Sequence, residues 1–459
     1  MRSAHDRRGL EDFAVRGLHL GKMTGVMVGT HALSDAFLLM HSGVGCKYKT
    51  AAQGAMHDLA EHPNVREAWT QVSEAHLVQG CSDRIGPFAR AWWERRESAF
   101  MVVVSAYFIE LTGDDIADAV REVEATLPDC EMAYLDTKAP NGGFFDGYAG
   151  VMREAMRRMD WSRPPSLPRH ATVVGHFFHR YEPDAKADVA QLRGLIKAAG
   201  LESGPILFSG GGYRDAKAAP ASRYVLELPY TRPHDAEIRR MVSLGRTVVP
   251  VDLPIGIGGS ARFVRTVAAA SGANMDTVEA WIRQQSEAVR ANVVRLTEPL
   301  RSYAVAVFAD TPLAAALVAM LVELGIDVPL VGLRDQHGSL GGAAAFWEGL
   351  RRAGIEDLPG TTVLDDPSLR RSRDALLPLI ADRPLGVIGS SHELDMLRNL
   401  PRTSAFLHDV PLICTGFPAD DYHAVASLPT FGFLGAATWA HRLLDAFGAP
   451  RLGMSAHRL

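Results

Sequence analysis

A cysteine held between glycines is the feature of this chain whose residue types and spacing could do chemistry. The loop His41-Ser42-Gly43-Val44-Gly45-Cys46 follows the apolar run AFLLM and precedes the basic, polar KYKT. A thiolate is both a nucleophile and a metal ligand, and glycines around it let the backbone approach something bulky. The same residues also suit a tight strand-to-helix turn in which the thiol is only a small hydrophobe. Both readings stand on these residues alone. The four cysteines, Cys46, Cys81, Cys130 and Cys414, lie far apart with no CxxC pair. That pattern fits neither a disulfide framework nor a self-contained zinc site, so a metal bound through thiolates needs ligands from a second chain.

Other candidates read as structural. Cys130, in LPDCEMAYL, and Cys414, in PLICTGF, lie beside predicted strands and are expected in the core. SGGGY (209–213) and GIGGS (256–260) resemble phosphate loops, but neither completes the P-loop or GxGxxG pattern, so both are expected to be turns at strand ends. His41, His392 and His423 are expected to be hydrogen-bonding loop residues.

The elements that must position the cysteine follow α/β syntax. Apolar, β-branched runs precede amphipathic stretches at FMVVVS (100–105), ATVVGHFF (171–178), YAVAVFAD (303–310), DVPLVGL (327–333) and GVIGSS (386–391). Parallel sheets flanked by helices follow, with chemistry expected in the loops after the strands. Pro-rich, polar breaks at 160–170 and 296–302 divide the chain into three Rossmann-like α/β domains, 1–165, 166–298 and 299–459. A net charge of −5 gives no basic field for nucleic acid. No segment approaches the roughly 20 apolar residues that span a bilayer, which points to the cytoplasm.

The cysteine loop resembles the HGPVGC loop of the nitrogenase component 1 type oxidoreductase family, and the resemblance continues in order along the chain. HLVQGCSDRIG (76–86) is similar to the family's FGG-x-x-KL segment, and VVVSAYFIELTGDDI (102–116) to its strand, cluster loop and GDDI helix start, with Asp114 and Asp115 expected as caps. LDTKAPNGGFFDGY (135–148) resembles the substrate-side loop, and VPVDLPIGIGGSARFVRTVAAASG (249–272) the PIG segment. GVIGSSH (386–392) and VPLICTGFPADDYHAVASLPTFGFLGA (410–436) resemble segments of the β-type subunits. The resemblance implies the three-domain component 1 fold.

Departures from the family pattern sharpen the expectation. Nitrogenase subunits give three cysteines each to the cluster at their interface, and here only the middle one, Cys46, remains. The upstream position falls near Leu20 and the downstream one on Tyr107, while Cys81 stands where relatives carry Gly. A cubane cluster needs about four protein ligands, so a partner must supply the others. The one-cysteine pattern is similar to that of subunits of chlorophyllide reductase and of the nitrogenase cofactor scaffold. By that resemblance Cys46 is the thiolate of a shared 4Fe-4S cluster, with Gly43 and Gly45 admitting it, and with Cys81 or Tyr107 as alternative ligands. A second metallocluster or a pigment substrate is compatible with the family.

The implied activity is reduction. An ATP-hydrolysing iron protein docks transiently and passes electrons through the interface cluster to a substrate, such as a tetrapyrrole. The implied assembly is α2β2, with a homologous three-cysteine α-type subunit. A scaffold on which a nitrogenase-type metallocluster is assembled is the alternative, and a metal-free binding protein on the same plan is a third.

Overall fold

The computed structural model describes residues 20–61, 66–96, 98–137, 142–335, 338–398 and 410–448. In them the apolar runs become strands of three sheets. The first joins β1 (Ala36–His41), β2 (Glu67–Trp69), β3 (Phe100–Ser105) and β4 (Glu131–Leu135) in the order β2-β1-β3-β4, all parallel. The second joins β5 (Leu167–Val174), β6 (Glu202–Ile206), β7 (Ser222–Glu227) and β8 (Thr247–Pro250) in the order β6-β5-β7-β8. The third joins β9 (Ala304–Ala309), β10 (Leu330–Leu333), β11 (Thr362–Asp365), β12 (Leu385–Gly389) and β13 (Leu412–Cys414) in the order β11-β10-β9-β12-β13, again parallel. Strands such as AFLLMH, FMVVVS and AVAVFA are buried along their whole length, as sheets covered by helices on both faces require.

The chain divides into two compact units. One holds Leu20–Glu182 and Glu202–Val249, and with them the first two sheets. The other holds the third sheet, helix Pro183–Ala198 and the helices after Pro250. No helix among the described residues is long and apolar enough to cross a membrane.

In the first sheet, alternate residues Phe37, Leu39, Ala68, Met101, Val103 and Met132 build one core face, into which Cys81 and Cys130 are also buried. Helix Lys22–His31 packs against helix Phe144–Arg157 through backbone contact. A Cβ at Gly25 would lie 1.8 Å from the carbonyl oxygen of Phe144, and one at Gly147 2.0 Å from that of Lys22. Only glycine permits that approach.

The strand expected over 171–178 starts earlier, at Leu167, and ends at Val174. Gly175 takes φ +73°, and a Cβ there would sit 2.3 Å from the Leu228 carbonyl oxygen, so the chain turns and residues 175–182 leave the sheet.

Candidate functional site

The carboxyl edge of the first sheet positions the cysteine loop. β1 ends at His41, Gly43 is extended (φ −79°, ψ 170°), and the helix Val44–His57 begins immediately, with Cys46 in its first turn. Three backbone-directed bonds fix the entry. The Ser42 amide donates to Thr70 Oγ1 at 3.2 Å, the Val72 amide to the Ser42 carbonyl at 3.0 Å, and the Ala106 amide to the His41 carbonyl at 3.0 Å. The loop is thereby tied to the segments that follow β2 and β3. Cys46 is half-buried against the core face, its amide donates to the Gly43 carbonyl at 3.3 Å, and its carbonyl accepts Thr50 Oγ–H at 2.9 Å. A Cβ at Gly45 would meet nothing within 4 Å, so the backbone beside the thiol is open. Val44, Tyr48, Val78, Tyr107 and Leu111, on the turns and helices after β1, β2 and β3, are each more than half exposed.

The other sequence candidates sit differently. Cys81 is fully buried, and its amide donates to Asp114 Oδ2 at 2.6 Å. Burial, and then the neighbouring Asp114 carboxylate, push its thiol up to about 12, so it is neutral at physiological pH. Cys130 is buried in the same core, and burial pushes its thiol up to about 12 as well; Cys414 is buried in the third-sheet unit. Leu20 is buried, and Tyr107 stands exposed on the turn after β3. Asp115 caps the helix Ile116–Glu124 through the Asp118 amide, as expected, but Asp114 does not. Its carboxylate is turned to the Cys81 amide, which holds it below the usual carboxylate range. His41 is buried with Nδ1 2.9 Å from Thr70 Oγ1, and burial lowers it to about 4.

The sequence pattern that defines the nitrogenase component 1 type oxidoreductases matches residues 22–447. The chain belongs to that family. Two solved structures share its fold. One described as nitrogenase Cp1 at pH 6.5 has a TM-score of 0.75 and 16% identity, covering 94% of this chain and 92% of the other. One described as nitrogenase Cp1 at pH 5 has a TM-score of 0.69 and 15% identity, covering 95% and 89%. No curated protein matches by sequence.

Component 1 type proteins work with iron–sulfur groups, and the donor set here tests how such a group fits. No three His, Cys, Asp or Glu side chains among the described residues are grouped to hold a metal ion. Cys46, half-buried beside the open backbone at Gly45, fits as one thiolate of a shared cluster and does not fit a complete site of its own.

SGGGY is a turn after β6, as expected, whereas GIGGS is not a turn but the start of the helix Gly256–Ser271. In SGGGY the Tyr213 and Arg214 amides donate to the Asp35 carboxylate, and in GIGGS the Gly258 amide donates to Glu323 at 3.0 Å. In both places backbone amides are already taken by the protein's own carboxylates. Residues 138–141 of the segment 135–148 lie outside the described residues. The residues after them enter an aromatic cluster, with Phe145 5.1 Å from Phe144, 5.5 Å from Phe177 and 5.9 Å from Tyr230 between ring centroids. The sequence also gave no sign of Glu110, which binds Ser105 and Tyr134 at the edge of the same sheet.

Proposed function

We propose that this component 1 type chain is one subunit of a nitrogenase-like reductase and lends Cys46 as the single thiolate to a 4Fe-4S cluster shared with a homologous three-cysteine α-type subunit. The observation that carries this is the placement of Cys46, half-buried in the first turn of a helix at a parallel sheet's carboxyl edge and open on its Gly45 side. When bound, such a cluster supplies one-electron transfer. Cys46 holds iron, and Gly43 and Gly45 keep the adjoining backbone free of side chains. Tyr107 walls the site where relatives carry a third thiolate, and Cys81, buried and neutral, stays out of the ligand set. The exposed apolar residues Val44, Tyr48, Val78 and Leu111 meet the partner.

On this reading the assembly is α2β2 in the cytoplasm, an ATP-hydrolysing iron protein docks transiently as electron donor, and the substrate is a small molecule, a tetrapyrrole being the first to test. Anaerobic iron analysis decides the shared-ligand argument. The chain alone is expected to bind little iron and to gain it when co-expressed with its three-cysteine partner; a stoichiometric cluster on the isolated chain would sink the proposal. The purified complex, given iron protein, ATP and reductant, then turns over substrate. A complex that instead hands its metallocluster to an acceptor protein is an assembly scaffold.

A further inference from the structure

We infer that Glu110 and Phe108 form a strut that sets the position of the Cys46 loop, which makes Glu110 a positioning residue for the site; the inference rests on the reading of Cys46 given above. Ser105, the last residue of β3, lies in register with His41, the last of β1. Glu110, on the turn after β3, accepts the hydroxyls of both Ser105 and Tyr134 on its Oε1, and those two hydroxyl oxygens are 2.9 Å apart. Tyr134 belongs to β4, and Thr137 just beyond it donates to the Ser105 carbonyl at 2.5 Å. One carboxylate therefore ties the turn to the ends of two strands.

The other end of the turn reaches the cysteine loop. The Ala106 amide donates to the His41 carbonyl at 3.0 Å, which sets where the turn departs. Phe108 then faces Gly43. A Cβ at Gly43 would lie 3.7 Å from Phe108 Cζ and 3.2 Å from the Val72 carbonyl oxygen, so the ring and the carbonyl flank the space beside the cap residue. Gly43 is the N-cap of the helix and accepts the Cys46 amide. A shift of the turn is passed through the Ala106–His41 bond, beside which the Phe108 ring flanks Gly43, to the first helical turn, where the thiol stands. With no carboxylate at 110, the Ser105 and Tyr134 hydroxyls lose their shared acceptor and the turn loses its tie to β3 and β4.

Full-length Glu110→Ala, Glu110→Gln and Phe108→Ala variants test this with two readouts. The first is the rate at which Cys46 in the isolated chain is alkylated by iodoacetamide, followed by peptide mass spectrometry. The second is the reduced EPR spectrum of each variant co-purified with its partner subunit. Glu110→Ala and Phe108→Ala are expected to change the alkylation rate by about threefold or more, since thiol reactivity follows exposure and surroundings, and to shift the EPR g values. Glu110→Gln is expected to restore both, because one amide oxygen can accept the same two hydroxyls. A folded Glu110→Ala or Phe108→Ala protein with parental alkylation and spectrum overturns the inference, as does a Gln variant no better than Ala. If Glu110→Ala fails to fold, Phe108→Ala decides, because it removes a side chain that is 37% exposed and breaks no hydrogen bond. Cys46→Ser with its iron retained would instead overturn the ligand assignment and leave the alkylation comparison standing.

Discussion

Cys46, in the first turn of a helix, and Cys81, just before a short turn of 3-10 helix, both pack on the core of the first sheet, yet their surroundings assign them opposite chemistry. Cys46 is half-buried beside open backbone, whereas Cys81 is sealed under Asp114 as a neutral thiol. Cys46→Ser is therefore expected to deplete the cluster and its reduced EPR signal in the purified complex, since a hydroxyl is a poor iron ligand. Cys81→Ser keeps a small hydrogen-bonding side chain and should cost about 1 kcal/mol of stability with the spectrum intact. The reverse ranking would show the site to be misplaced. The glycine spacing around Cys46 was readable in the sequence because it is local. The Asp114 contact was not, since the two residues are 33 positions apart and Asp114 reads equally well as a helix cap. Glu110 was hidden for a similar reason: one of its donors, Tyr134, comes from the next strand.

At the scale of elements, the apolar runs placed the strands because parallel sheets bury both faces and so need continuous β-branched sequence. Where a strand stops depends on tertiary packing, and at Gly175 the Leu228 carbonyl decided it. The pairing of helix Lys22–His31 with Phe144–Arg157 is equally non-local, and it rests on glycines that sequence alone reads as helix-weakening. Gly147→Ala would push a methyl to within 2.0 Å of the Lys22 carbonyl oxygen, which the helices can relieve only by separating. We expect a loss of about 3 kcal/mol, a fall in melting temperature of roughly 6–12 °C for a unit of this size. Gly194→Ala is the contrasting test. It lies mid-helix and exposed with nothing within 4 Å of its Cβ position, so alanine should stabilise by about 0.5–1 kcal/mol. Equal effects of the two in thermal unfolding would refute the packing argument.

For the whole molecule, three buried ionisable groups predict opposite local responses to acid at two places in the fold. In the unit of the first two sheets, burial lowers His41 and His176 to about 4, while in the unfolded chain they titrate near 6.5. Between those values the unfolded chain binds protons that the fold refuses, so stability is lost as pH falls from 6.5 to 4, on the order of 3 kcal/mol for each histidine. In the third-sheet unit, Asp188 is buried and accepts the Thr430 and Phe431 amides and the Thr430 hydroxyl, and burial raises it to about 7 against that hydrogen bonding. A raised carboxyl stabilises below its unfolded value of 3.8, and that contribution fades as pH rises to 7. Hydrogen exchange between pH 4 and 7 should show protection in β1 and β5 declining with acid while the start of helix Gly432–Phe447 holds or gains. Parallel decline in both would exclude the assignment.

The glycine-to-backbone crossing of helices Lys22–His31 and Phe144–Arg157 also sets an order of events during synthesis. Helix Lys22–His31 is buried from Thr24 to Thr30, and one of its partner faces belongs to residues 144–157. A ribosome adding about 5–20 residues per second needs on the order of 5–20 s to make the intervening stretch. For that interval the emerging helix lacks the surface of helix Phe144–Arg157. Burial of this helix face during synthesis therefore waits on residues 144–157.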